Sequence, residues 1–154
     1  MGLDMYLDAQ VTFSKYRNED AENLSRMKNF PNLPKEFYNN SVSLVANVAT
    51  WRKANHIHKW FVDRCQGGKD DCQTVYVSRD DLRDLLHICK NVLARKDEGE
   101  AYASQYLPTE SGFFFGSTAY DEYYYRDLEE TIEMLEPLLG EEYESYSLFY
   151  HSSW

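Results

Sequence analysis

The sequence predicts an α+β protein: a small, mostly antiparallel sheet backed by about three helices. Two patterns carry that expectation. Segments near both ends and in the middle alternate apolar and polar residues with period two, and three segments between them repeat apolar residues at three and four. Short strands interspersed with clustered helices suit one sheet with helices on one side. At 154 residues, the chain is one domain's worth, 1–154, large enough to bury a core without staples.

Gly2 to Phe13 alternates Leu3, Met5 and Leu7 against Asp4, Tyr6 and Asp8, which predicts a strand from the start of the chain. Tyr16 to Asn40 is polar, with Pro31, Pro34 and four Asn, and reads as a long loop holding one short helical piece. Ser41 to Ala49 is β-branched and predicts a second strand. Thr50 is placed as the N-cap of a helix through Cys65, with Ala54, Ile57, Phe61 and Cys65 on its apolar stripe and Gly67-Gly68 as its stop. Asp71 to Val77 reads as a short strand.

Ser78 followed by Asp81 resembles a capping box. Leu82, Leu85, Leu86, Cys89 and Leu93 then form the stripe of a helix ending near Lys96. Lys96 to Gln105 is expected to be a charged linker. Thr118 is placed as the cap of a third helix with Tyr124, Leu128, Ile132 and Leu135 inward, limited by Pro137. Ser145 to His151 closes the sheet, beside the N-terminal strand.

The net charge of −10 is unevenly distributed. Residues 1–96 hold fifteen Lys and Arg against twelve Asp and Glu, whereas residues 97–154 hold one base, Arg126, against fourteen acids. That field opposes direct nucleic-acid binding and favours a basic partner at the C-terminal end. No stretch reaches the roughly 20 apolar residues of a membrane helix, and Met1 to Val11 lacks the pattern of a secretory signal. Three Cys fit reduced thiols in a cytosol.

Two segments carry candidate chemistry. In Trp51 to Trp60, a helix puts Arg52, His56, Lys59 and Asp63 on its outer face, with Trp51, Asn55 and His58 along the border. Arg52, Lys53, Asn55 and His58 near a helix start suit a phosphate or carboxylate, since backbone N–H groups add to the attraction. A solvated basic face is the alternative. In Leu107 to Tyr125, the hydroxyls of Thr109, Ser111, Ser117 and Thr118 surround Gly112 and Gly116 beside a run of aromatics, with Tyr120 and Asp121 as further ligand candidates. This is the composition of a pocket for a base or sugar, and equally of a tight turn beside an aromatic core. It is not a P-loop, lacking the Lys and the spacing. No metal is assigned: there is no CxxC or HExxH, and Cys65 and Cys89 fall on apolar stripes. Glu129, Glu130 and Glu133 form an acidic helix face that could imitate a phosphate backbone in the basic groove of another protein. A solvated charged face is the plainer reading.

Four blocks together are similar to a family of small, largely uncharacterised proteins of tailed bacteriophages and prophages. They are Met1-Gly-Leu-Asp-Met-Tyr-Leu7, Trp51-Arg-Lys-Ala-Asn-His-Ile-His-Lys-Trp-Phe-Val62, Ser111-Gly-Phe-Phe-Phe-Gly-Ser-Thr118 with Tyr120-Asp-Glu-Tyr-Tyr-Tyr125, and Ser152-Ser-Trp154. The resemblance implies an accessory, defence-countering protein in the cytoplasm of an infected bacterium. It supplies no activity, no catalytic residue and no cofactor.

Three readings follow. The first is a non-enzymatic binder of a small anionic or nucleotide-like ligand, with Trp51 or a Tyr stacking on a base. The second is an acidic inhibitor docking on a basic host protein. The third is an enzyme on a nucleotide or modified base, with His58 or Asp121 as general base. The first depends on the Trp51–Trp60 segment and the Gly112–Gly116 turn meeting across one cleft.

Overall fold

The computed structural model describes residues 2–32, 34–38 and 40–154. Its sheet has four antiparallel strands, β1 (Asp4–Ser14), β2 (Ser41–Arg52), β3 (Val75–Val77) and β4 (Ser147–Ser153), in the order β2-β1-β4-β3. The expected neighbours at the two ends of the chain are paired, Asp4 opposite Ser153 and Gln10 opposite Ser147.

The alternation of β1 decides which face is covered. Leu3, Met5, Leu7 and Ala9 are buried, while Asp4, Tyr6 and Asp8 stay half-buried on the open face. Three helices contribute most to the core: α2 (Asn55–Cys65), α3 (Arg79–Ala94) and α5 (Glu122–Leu135). Ile57 and Phe61 from α2, Leu82 and Leu85 from α3, and Leu128 and Leu135 from α5 join the strand residues in one apolar cluster. Each fully buried side chain of this size contributes about 1.5–3 kcal/mol. Phe61 stacks flat on Tyr150 of β4, ring centres 4.0 Å apart.

Of two shorter helices, one is the helical piece expected in the Tyr16–Asn40 loop and the other lies outside the expected set. The Tyr16–Asn40 loop contains α1 (Ala21–Met27), anchored by buried Leu24 and Met27. The charged linker is helical as α4 (Glu100–Tyr106), a seven-residue piece burying only Ala103. So little apolar surface gives no legible period.

Caps settle two further differences. Ser78 caps α3 as expected, its hydroxyl accepting from Asp81 N–H while the Asp81 carboxylate accepts from Ser78 N–H. The α5 cap is Asp121, not Thr118: its carboxylate accepts from the N–H groups of Tyr123 (3.0 Å) and Tyr124 (3.2 Å). At the second helix, Thr50, Trp51 and Arg52 continue β2, and the helix begins only at Asn55. Among the described residues no helix is long and apolar enough to cross a membrane.

Candidate functional site

The turn from β2 into α2 is sharp, and its geometry makes the site. Lys53 N–H donates to Leu3 O (2.8 Å) and Asn55 N–H donates back to Lys53 O (2.9 Å). This forces Lys53 into the left-handed region at φ 62°, a conformation that costs a non-glycine residue of order 1 kcal/mol. Gly116 packs directly against it. Its φ is +93°, and a Cβ there would stand 3.0 Å from Lys53 Cβ and 3.3 Å from Lys53 O, so any other residue is strained by the dihedral and tight against Lys53.

Asn55 joins the two segments. Its buried amide donates to Phe115 O (3.1 Å) and Ser117 O (2.8 Å), and its Oδ1 accepts from Glu110 N–H (3.0 Å). One side chain thereby satisfies three backbone groups of the glycine-containing loop, as buried polar groups require. The Trp51–Trp60 segment and the Gly112–Gly116 turn do meet, and between them and the first turns of α5 lies a cleft of about 220 Å³.

Arg52 and Lys53 form one wall of the cleft, Gly116, Ser117 and Ala119 another, and Asp121, Tyr123, Tyr124, Arg126 and Asp127 the third, with His56 at the back. The start of α2 lies between two cleft residues, Lys53 and His56. Its N-cap position is Ala54, which has no side chain to cap with, and its first turn holds no acidic residue. Both α3 and α5 have a capping side chain and first-turn acids. An uncapped helix start leaves N–H groups and the positive end of the helix dipole for an outside acceptor.

Three cations line the cleft. Arg52 lies 3.6 Å from Asp4, and Arg126 lies 3.6 Å from Glu130 with its guanidinium over the Tyr123 ring. The Lys53 ammonium has no ion-pair partner among the described residues. His56 is only 3% exposed, its ring 4.3 Å from that of Tyr124, and its Nε2 has no hydrogen-bond partner. Asp127 Oδ2 lies 3.9 Å from that nitrogen, too far for a hydrogen bond. Burial pushes His56 down to about 3, so the ring is neutral and the contact is not an ion pair. Burial, then the neighbouring Glu130, pushes Asp127 up to about 6.

The remaining candidate residues have other tasks. Trp51 is buried, and its indole N–H donates to Thr131 Oγ1 (2.8 Å), so it offers no ring face to a ligand. Tyr123, 66% exposed, is the solvent-exposed ring at the cleft, with the Arg126 guanidinium over one of its faces. His58 is wholly buried, Nδ1 meeting the Tyr150 hydroxyl (2.7 Å) and Nε2 meeting Asp70 Oδ2 (2.9 Å), while Trp154 Nε1 donates to Asp70 Oδ1 (3.1 Å). With both nitrogens engaged, His58 pins α2 to β4 and the chain end and stands outside the cleft.

Thr109 and Tyr120 brace the loop. The Tyr120 hydroxyl accepts from Thr109 N–H (3.1 Å), and Thr109 Oγ1 donates to Thr118 O (3.0 Å). Ser111 lines a separate cavity with Phe113, Phe115 and Trp154. Of the expected ligand residues, Arg52, Lys53, Ser117 and Asp121 reach the cleft, and the Asp121 carboxylate is already engaged as the α5 cap. Glu129, Glu130 and Glu133 are exposed on α5, away from the core. Among the described residues no three His, Cys, Asp or Glu side chains are grouped to hold a metal ion.

His56, Tyr123, Arg126 and Asp127 escaped the sequence reading. Arg126 did carry a signal, as the one base among fourteen acids. His56 carried a misleading one, because helical phase turns it away from Ile57 and Phe61, and its cover comes from Tyr124 of α5. No protein family, curated protein or solved structure matches the chain.

Proposed function

We propose that the chain binds a small phosphate-bearing anion, non-enzymatically, in the cleft between the start of α2, the Gly116 turn and α5. The observation that carries this is the uncapped α2 start set among Arg52, Lys53 and Arg126, with the Lys53 ammonium unpaired among the described residues. Backbone N–H groups at a helix start and a fork of guanidinium donors are what phosphate oxygens require.

Two magnitudes bear on the ligand. The net charge of −10 repels anions, but at physiological salt that field is screened over roughly 8 Å, whereas contacts in the cleft act at about 3–4 Å. The volume of about 220 Å³ is below the roughly 300–1,000 Å³ that encloses a drug-sized ligand. A phosphate or pyrophosphate fits inside. A nucleotide would seat its phosphates there and lay its base outside, over Tyr123.

The resemblance to phage accessory proteins gives this reading a setting: removal of a phosphate-bearing signal used in host defence. Thermal unfolding with phosphate, pyrophosphate or a nucleoside monophosphate, at matched ionic strength, tests the binding. A ligand at 100 times its Kd raises stability by about 2.7 kcal/mol. Stabilisation that survives Arg52→Ala and Arg126→Ala unchanged would remove the cleft as its site.

A further inference from the structure

The outer edge of β2 is a second feature with a chemistry of its own. No described element pairs with it, and Ser43 to Asn47 are all exposed, Leu44 at 47% and Val45 at 59%. The backbone N–H and C=O groups along such an edge are satisfied by water or by another strand. β2 is twelve residues long, about twice the usual length.

Edge strands of monomers are commonly blunted by shortness, proline or charge. The opposite edge, β3, is blunted by shortness, with three residues. From Phe37 to Trp51 there is no proline and no charged residue, and the one irregularity of β2, a bulge at Val48, lies past the exposed stretch Ser43–Asn47.

The sheet is also incomplete at this end. β1 pairs with β2 from Asp4 to Ser14, but with β4 only from Asp4 to Gln10. Beyond Gln10 the two strands run on as a ribbon, Val11 opposite Leu44 and Phe13 opposite Val42. Along the β1 edge of this ribbon Arg17 donates to Thr12 O and Ser14 N–H donates to Asp20 Oδ2 (2.7 Å), so the edge left for a third strand, which a two-stranded ribbon gains stability from, is that of β2.

We propose that the third strand is β2 of a second copy, paired antiparallel across a two-fold axis near Val45. Three observations favour a second copy over another partner. The edge is uncharged, so two chains of net charge −10 can meet there without opposing like charges. Antiparallel pairing about Val45 sets Leu44 beside Ala46 and Ser43 beside Asn47, so the patch complements itself as an isologous contact must. The same register lays each ribbon against the part of the partner's β2 that is anchored in its four-stranded sheet, giving both ribbons the missing strand at once. The result is one continuous eight-stranded sheet. Arg52 lies seven residues from Val45, roughly 23 Å along the strand, so the cleft stays open.

Light scattering and native mass spectrometry of the full chain across the micromolar range test this. The expected mass is twice 18.2 kDa. Ser43→Lys and Val45→Lys, both on the exposed open face, should give the single-chain mass with unchanged circular dichroism. A wild type at the single-chain mass throughout, a mass above the dimer, or lysine variants that remain dimeric would each overturn the proposal.

Discussion

Asn55 Nδ2 reaches across sixty-two positions of sequence to donate to Ser117 O at 2.8 Å, and that bond with its two companions defines the cleft. Asn55→Ala takes its partner from the buried Phe115 O and from the part-buried Ser117 O and Glu110 N–H. An unsatisfied buried group costs about 1–3 kcal/mol, tempered where water enters. The expected loss is about 2–5 kcal/mol in urea unfolding, with faster amide exchange at Glu110. A loss below about 0.5 kcal/mol would mean that the loop holds its place without the amide.

Gly116 packs against Lys53 so closely that a Cβ there would stand 3.0 Å from Lys53 Cβ. Gly116→Ala must either clash with Lys53 or shift the turn that presents its ammonium. The combined strain is about 1–3 kcal/mol, and anion affinity should fall along with stability. Unchanged affinity in a folded Gly116→Ala variant would separate the turn from the site.

Asp127 sets a pH dependence whose sign is fixed by its environment: His56 across the cleft, with Arg126, Glu130 and Asp121 on or beside its own helix. It titrates near 6 in the folded protein against about 4 in the unfolded chain. The folded state therefore holds the proton more tightly. Its contribution to stability is complete below pH about 4 and is lost as pH rises through 6, a change of about 3 kcal/mol. His56 acts oppositely: titrating near 3 against about 6.5 unfolded, it contributes above pH about 6.5 and loses that contribution as pH falls toward 3. Asp127→Asn removes only the first effect. Its unfolding free energy should gain on the wild type by about 2 kcal/mol between pH 4 and pH 7, and a gap constant with pH would contradict the burial of this carboxyl.

What was legible in the sequence follows from where its signals are local. β1 alternates cleanly because one of its faces is core. α3 has a long stripe and a two-residue cap, so both its existence and its start could be read. The α2 start could not, because it depends on Lys53 accepting a left-handed conformation under the constraint of Leu3 O and Gly116. Nothing in Trp51-Arg52-Lys53-Ala54 announces that. His56 is covered by Tyr124, nearly seventy residues away, and a contact of that span leaves no trace in helical phase. The meeting of the two polar-aromatic segments was correctly expected, but the side chains facing the cleft were only partly so. The border residues Trp51, Asn55 and His58 proved to be the polar framework beneath it.

The most direct test of the site is calorimetric titration of pyrophosphate into the wild-type chain and into Lys53→Glu, at matched salt and pH 7. An anion cleft at the α2 start predicts saturable one-to-one binding to the wild type, weakened at least about tenfold, or ~1.4 kcal/mol, by the reversed charge. The absence of saturable heat with the wild type, or equal affinity in the two proteins, would contradict it.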